Sequence, residues 1–351
     1  MTMNPTFLST QYLANSLVLP VQQAQLTTAI TEESTGQYAD LGLQLGDQSG
    51  YELSLKEQVQ QLQALTTGNS VVATNLSTAQ DALTSMSTSA QTTVQDLATW
   101  TAGADSGAQL QTIGQTALQE LTSSANATSG DAYVFGGINS GAAPLNDYFS
   151  TGSKASSAVE TAFETAFGCS PTSAAAANIT ASQMQSFLSG PFADLFSGSN
   201  WTSDWSTASS TNTSAEIAPG QTVTTSTNTN SPAFQSLAEA YTMVAAFGGS
   251  SLSTSAQQAV ASAATSLVSQ GQSAVTQTQA ALGATQSQVT DANSAMSSQL
   301  TLIQTQVGNL DNVDQTATAA KITALTNQIQ VAYELTARLQ QLNLAQYLPV
   351  S

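Results

Sequence analysis

Seven apolar positions in the C-terminal third of the chain, Val268, Val275, Leu282, Val289, Met296, Ile303 and Leu310, lie seven residues apart without a miss. A helix of that length holds such a spacing only if one edge stays against a partner throughout, so this region reads as a long coiled-coil helix. The companion positions Gln272, Gln279, Gln286 and Asn293 are polar before Leu300 and Val307 take over. Half of the seam is therefore expected to be wet or shared with another chain. A matching stripe runs through Leu62, Leu65, Asn69, Val72, Leu76, Ala79, Leu83, Met86, Ala90, Thr93 and Leu97 in steps of three and four. Asn69 and Thr93 are polar interruptions of the kind that fix register at some loss of stability.

Shorter stripes stand outside these two. Residues 7–35 read as an amphipathic helix with Leu13, Leu17, Val21, Ala24, Thr28, Thr31 and Thr35 on one side, stopped by Gly36. The segment from Gly36 to Gly46 reads as a compact glycine loop, and a turn over residues 103–107 precedes a helix bearing Leu110, Ile113, Ala117 and Leu121. A final helix carries Ile322, Leu325, Ile329, Ala332, Leu335, Leu339 and Leu342 on one side. In between, Gly130-Asp131-Ala132-Tyr133-Val134-Phe135-Gly136-Gly137 places aromatics on alternate positions between glycines, a hairpin expected near 131–137. Residues 146–231 are rich in Ser, Thr, Asn, Gly and Ala, yet hold Trp201, Trp205 and Phe163, Phe167, Phe187, Phe192 and Phe196, too many aromatics for a linker. The expected fold is mainly α: a long antiparallel coiled-coil bundle from both chain termini, with a short β-hairpin and a small inserted mixed or β-rich domain. The expected division is 1–145, 146–231 and 232–351.

Charge removes whole classes of function. Four Lys and Arg stand against 22 Asp and Glu with no His, a formal net charge of −18. Four cations cannot form the basic stripe that displaces phosphate counterions, nor hold an anionic membrane surface, so neither nucleic acid nor membrane is an expected partner. Without His there is no imidazole base, no Ser-His-Asp arrangement and no His-ligated zinc. No apolar run approaches the roughly 20 residues of a membrane span, and the first 20 residues do not read as a cleavable secretory signal. The single Cys169 permits no intrachain disulfide.

The local motifs carry no chemistry either. Gly136-Gly137-Ile138-Asn139-Ser140-Gly141 lacks the Lys-Ser/Thr of a phosphate loop. Asp311-Asn312-Val313-Asp314 lacks the ligand spacing of a calcium loop and reads as a solvated acidic turn. Adjacent Glu32 and Glu33 point in different directions on a helix. Trp201 and Trp205 form either a carbohydrate platform or, more simply, a core anchor. No catalytic, cofactor-binding or metal-ligating residue is expected, and no enzyme.

Three stretches carry a resemblance: Ser34-Thr35-Gly36-Gln37-Tyr38-Ala39-Asp40-Leu41-Gly42, the Gly130–Gly137 segment leading into Ala143-Pro144-Leu145, and the tail from Tyr333 to Leu348. In this order, with a variable middle, the chain resembles the flagellin superfamily of bacterial axial proteins, over roughly residues 5–145 and 235–349. Within that family it is most similar to the hook-associated branch that joins hook to filament. The common flagellin loop rich in Arg, Asn and paired Asp is absent, and Lys56 is the only cation in residues 1–150. The resemblance implies a structural role: terminal helices that pair and assemble with copies of the chain and with a neighbouring hook-associated protein and flagellin, an export chaperone, and passage to the extracellular flagellum without a cleaved signal peptide. Leu13, Leu17, Val21, Ile329, Leu335, Leu339 and Leu342 are the expected assembly surface, and Tyr133, Phe135, Gly136 and Gly137 the hairpin. Filament flagellin is the near alternative, and an acidic surface adhesin with a carbohydrate-binding insert the remote one.

Overall fold

The computed structural model describes residues 5–101 and 106–347, with side-chain surroundings from residue 17 to 338 within those limits. Helices dominate: α1 (Pro5–Thr35), α2 (Leu41–Leu45), α3 (Ser49–Thr99), α4 (Ser106–Ala125), α5 (Lys154–Phe167), α6 (Ala181–Phe187), the single turn α7 (Gly198–Asn200), α8 (Pro232–Phe247), α9 (Thr254–Asp311) and α10 (Gln315–Tyr347). Two small antiparallel hairpins complete the described chain, β1 (Thr128–Ser129) with β2 (Ala132–Tyr133), and β3 (Ser214–Ala218) with β4 (Gln221–Thr224). The fold is thus mainly α, with long helices from both ends of the chain. Two compact units divide it: Ala64–Met296, and the residues up to Gln63 together with those from Ser297 onward.

Within the Ala64–Met296 unit, the heptad edges of α3 and α9 are buried as their spacing demands: Leu76, Leu83, Met86 and Ala90 on one helix, Val268, Val275, Leu282 and Val289 on the other. Three polar members of the seam, Asn69, Asn293 and Gln279, find partners inside the chain. Asn69, itself buried, donates through Nδ2 to Asn293 Oδ1 (2.8 Å) and to the Ile217 carbonyl on β3 (2.7 Å). Gln80 Nε2 donates to the Gln279 carbonyl at 2.8 Å, and Gln279 Nε2 to Thr84 Oγ1 at 3.2 Å. Asn293 and Gln279, expected to be wet or shared with another chain, instead bond within the chain, to Asn69 and Thr84 of α3. An Asn69→Ala variant leaves a buried carbonyl and the Asn293 amide without this donor. It should lower unfolding free energy by about 1–3 kcal/mol in urea titration, and the Asn69→Ala/Asn293→Ala double variant should cost less than the two singles added together.

Helices α4 and α8 cross at glycine. A Cβ at Gly114 would lie 2.3 Å from the Ala245 nitrogen and 2.7 Å from the Val244 carbonyl carbon, so the two backbones touch. Around them the segment from 146 to 231 folds as short helices and one hairpin, a mixed architecture with helix outweighing strand. Its aromatics fill the same core as α8: Phe163 stacks on Phe247 at 5.2 Å, Phe192 meets Phe247 edge-on at 5.5 Å, and Trp201 stacks on Trp205 at 5.8 Å. Both tryptophans are fully buried. The core-anchor reading therefore holds, and they offer no platform to a sugar.

The glycine-bounded segment does two jobs. Its hairpin turns at Gly130, φ 59°, and pairs Thr128 with Tyr133 and Ser129 with Ala132. Tyr133 belongs to the hairpin, whereas Phe135, Gly136 and Gly137, expected within it, lie beyond. Phe135 is buried edge-on against Phe234 at 5.1 Å. Gly137, φ 62°, lets the 206–211 segment pass, because a Cβ there would sit 2.6 Å from the Ser209 and Thr211 carbonyl oxygens.

On α8 the half-buried Glu239 has lost much of its hydration, and burial pushes its carboxyl from 4.5 up to about 7. A raised carboxyl pKa means that the folded state binds more protons than the unfolded state between those values, so stability falls as pH rises across that window. With allowance for the exposed edge, the loss is about 2 kcal/mol. Chemical denaturation at pH 5 and pH 7.5 should show that slope, and Glu239→Gln should flatten it.

Candidate assembly surface

The second unit is built on the two ends of the described chain. α1 and α10 pack antiparallel, with Gln22 Nε2 donating to Gln328 Oε1 (3.4 Å) and Gln23 Nε2 to Tyr333 Oη (2.7 Å). Burial recurs at Leu19, Gln22, Leu26 and Ala29 on α1, and at Ile322, Leu325, Ile329, Ala332 and Thr336 on α10. Both runs step by three and four, so the pair is a short coiled coil. It is a weak one: a Gln and an Ala take core positions, and Pro20 inside α1 removes a helical hydrogen bond, a cost of about 3 kcal/mol in a helix interior.

An ionic clamp, buried at its Asp311 end, holds the base of this pair. Lys56 Nζ reaches Asp311 Oδ2 at 2.7 Å and pairs with Glu52 one turn back on α3; the Asp311 side chain is 1% exposed. The Asp311 hydrogen bond, then that of Glu52, raises the Lys56 pKa against the opposing effect of burial. The Asp311 carbonyl accepts from the Tyr38 amide (2.9 Å) and the Gly36 carbonyl from the Val313 amide (3.0 Å), tying the loop after α1 to the α9–α10 turn. Gly36, φ 72°, makes the exit from α1. Asp314 caps α10, its Oδ1 accepting from the Thr316 and Ala317 amides at 2.9 and 3.1 Å. The acidic turn expected to be solvated is therefore half structural: Asp311 is buried and Asp314 is a cap. The loop expected to lack helix holds α2, whose N-cap is Asp40.

The outward faces carry exposed large apolar side chains. Leu17, Val18, Val21 and Ile30 are exposed on α1, and Val331, Tyr333 and Leu335 on α10. Of the expected assembly residues, Leu17, Val21 and Leu335 stand in this exposed set, while Ile329 lies in the seam within the chain. Leu13, Leu339 and Leu342 fall where side-chain surroundings lie outside the described residues. Sequence reasoning missed Val18, Ile30, Val331 and Tyr333, which flank the stripes. It also missed the clamp, although Lys56 as the lone cation of residues 1–150 was a visible signal.

Among the described residues no group of His, Cys, Asp and Glu could hold a metal ion, and no helix is long and apolar enough to cross a membrane. Paired terminal helices with exposed apolar side chains on their outer faces define a long-helix protein with paired ends. Residues 8–140 match the bacterial flagellin N-terminal helical region and residues 265–348 the bacterial flagellin C-terminal helical region, together more than half of the chain. The chain belongs to the bacterial flagellin family, whose members are structural components of the extracellular flagellum. Its fold is similar to that of a solved Vibrio parahaemolyticus chain named as a flagellar hook-associated protein. That likeness has a TM-score of 0.52 at 13% identity, over 75% of this chain and 97% of the other. No curated protein matches the sequence.

Proposed function

We propose that this chain is a hook–filament junction subunit of the bacterial flagellum, assembling with itself and with neighbouring axial proteins through α1 and α10. The observation that carries the assembly reading is the exposed apolar face of Leu17, Val18, Val21, Val331 and Leu335 on a helix pair too weak to stand by itself. Support for the junction over the filament comes from the Gly36–Gly46 loop, which has no Arg, and from the likeness of Gly130–Gly137 and the Tyr333–Leu348 tail to the hook-associated branch. The hook-associated name of the similar Vibrio chain points the same way. An export chaperone and passage to the cell exterior without a cleaved signal peptide belong to this reading. The adhesin alternative has lost its aromatic platform with the burial of Trp201 and Trp205.

The test is electron microscopy of flagella from a strain lacking this chain, with proteins collected from the medium. Hooks without filaments, and unpolymerised flagellin in the medium, are expected. Normal filaments would sink the junction role, and loss of the filament with no flagellin anywhere would make this chain the filament subunit.

A further inference from the structure

Within the Ala64–Met296 unit, α3 and α4 flank an open groove of about 450 Å³, lined among others by Ser85, Thr88 and Ser89 from α3 and by Glu120, Ser123 and Ser124 from α4. Its hydroxyls are turned to accept. Ser85 Oγ donates to the Asp81 carbonyl (3.1 Å) and Thr88 Oγ1 to the Thr84 carbonyl (2.9 Å), so both protons are engaged inside the helix and oxygen lone pairs remain for a ligand. Ser89 Oγ donates to Glu120 Oε2 at 2.5 Å, which orients the carboxylate and leaves Oε1 free. Behind them the Tyr241 side chain is buried, and its Oη has no hydrogen-bond partner of good geometry, although the Ser89 and Thr93 hydroxyls and the Glu120 carboxylate stand around it. A buried phenol left unsatisfied beside a groove marks a position that a ligand atom completes. We propose that this groove binds a linear polyamine, with one ammonium between Glu120 and Tyr241 and another near Asp81.

Charge and geometry select this ligand. No Lys or Arg occurs between Lys56 and Lys154, so an anion finds no countercharge on either helix. A guanidinium calls for a two-oxygen fork, and Ser89 already engages one of the two Glu120 oxygens. An ammonium is a point charge whose three N–H groups suit one carboxylate oxygen and scattered hydroxyl acceptors. The second charge follows from spacing. Exposed Asp81 precedes Ser85 by one helical turn, on the same strip of α3 as Thr88 and Ser89. Carboxylates therefore stand at both ends of an acceptor row about 12 Å long at 1.5 Å per residue. Extended spermidine has its end ammonium groups at that separation. Each bound polycation also lowers the repulsion between chains of net charge −18.

Equilibrium dialysis of the full-length protein against labelled spermidine in low salt tests it. One saturable site is expected, weakened at least tenfold in Glu120→Gln and at least threefold in Tyr241→Phe and in Asp81→Asn. Glu164→Gln, which removes an exposed carboxylate of α5 outside the groove, should leave it unchanged. Butylamine, with a single ammonium, should bind at least tenfold more weakly than spermidine. Binding that never saturates, or that falls equally in Glu120→Gln and Glu164→Gln, is diffuse attraction to an acidic chain and overturns the proposal. Butylamine as tight as spermidine overturns it too, and points instead to a lone ammonium such as a partner protein's lysine side chain. Circular dichroism unchanged from wild type shows that the variants are folded, as expected for exposed Glu120 and Asp81 and for a Tyr-to-Phe change that keeps the ring.

Discussion

A Gly114→Val chain should lose at least about 3 kcal/mol from the Ala64–Met296 unit, with a thermal midpoint lower by on the order of 10 °C. The reason is geometric. A Cβ at this position meets backbone atoms of Ala245 and Val244 at 2.3–2.8 Å, and backbone, unlike a side-chain tip, cannot swing aside. α4 and α8 would have to separate, opening the core that Leu110, Ala117, Leu237 and Val244 fill. Helix propensity argues for the opposite sign, since replacing an interior helical glycine with alanine is worth about 1 kcal/mol in favour of the helix. Gly68 in α3 provides the contrast: it is exposed, and a Cβ there would meet nothing within 4 Å. Gly68→Ala should therefore stabilise where Gly114→Ala destabilises. Calorimetry on the two alanine variants reads the difference in sign directly, and a stabilised Gly114→Ala would show that the crossing is looser than described.

The second large effect is expected at the clamp. Lys56→Met keeps the aliphatic stem but leaves Asp311, almost wholly buried, and Glu52 facing each other without a cation. Removing one member of a fully buried pair costs about 3–5 kcal/mol; the Lys56 side chain is 42% exposed, so solvent screening brings the expected loss down to about 1–3 kcal/mol. Asp311→Asn should be milder, as an amide needs less solvation. The readout is hydrogen exchange at the Tyr38 and Val313 amides, whose acceptors are the carbonyls of Asp311 and Gly36. Both should lose protection in Lys56→Met while amides in the α4–α8 core keep theirs. In the wild type the raised Lys56 pKa fixes the sign on the alkaline side: the clamp is fully present below the ordinary lysine value of 10.5 and weakens as pH rises through the folded-state value.

Periodicity made the long helices legible, because an apolar residue every seventh position from Val268 to Leu310 has one structural solution. It also located Asn69 and Asn293 as polar members of a seam. What it could not reveal was their partner, since the Ile217 carbonyl comes from a hairpin 148 residues away from Asn69 in sequence. On α1 the same reading chose the edge richest in leucine and valine. That edge faces outward, and the edge that packs on α10 was hidden because Gln22 and Ala29 occupy it. Hydrophobicity marks what must be covered without saying whether the cover comes from the same chain. The clamp was obscure for a related reason: an Asp in a turn looks solvated until the fold brings a lysine to it from 255 positions away. In the middle segment the aromatic count indicated a core, and only the fold showed that Phe163, Phe187 and Phe192 share it with Phe247.

The hydrogen bonds between α1 and α10 join residues 306 and 310 positions apart. Closing so long a loop carries an entropic penalty that only prior ordering of the intervening chain can reduce, and contacts of such separation form late. The seam itself, with its glutamine, alanine and interior proline, adds little drive of its own. The terminal pair is thus expected to gain protection last in pulsed hydrogen exchange during refolding, after the Ala64–Met296 unit.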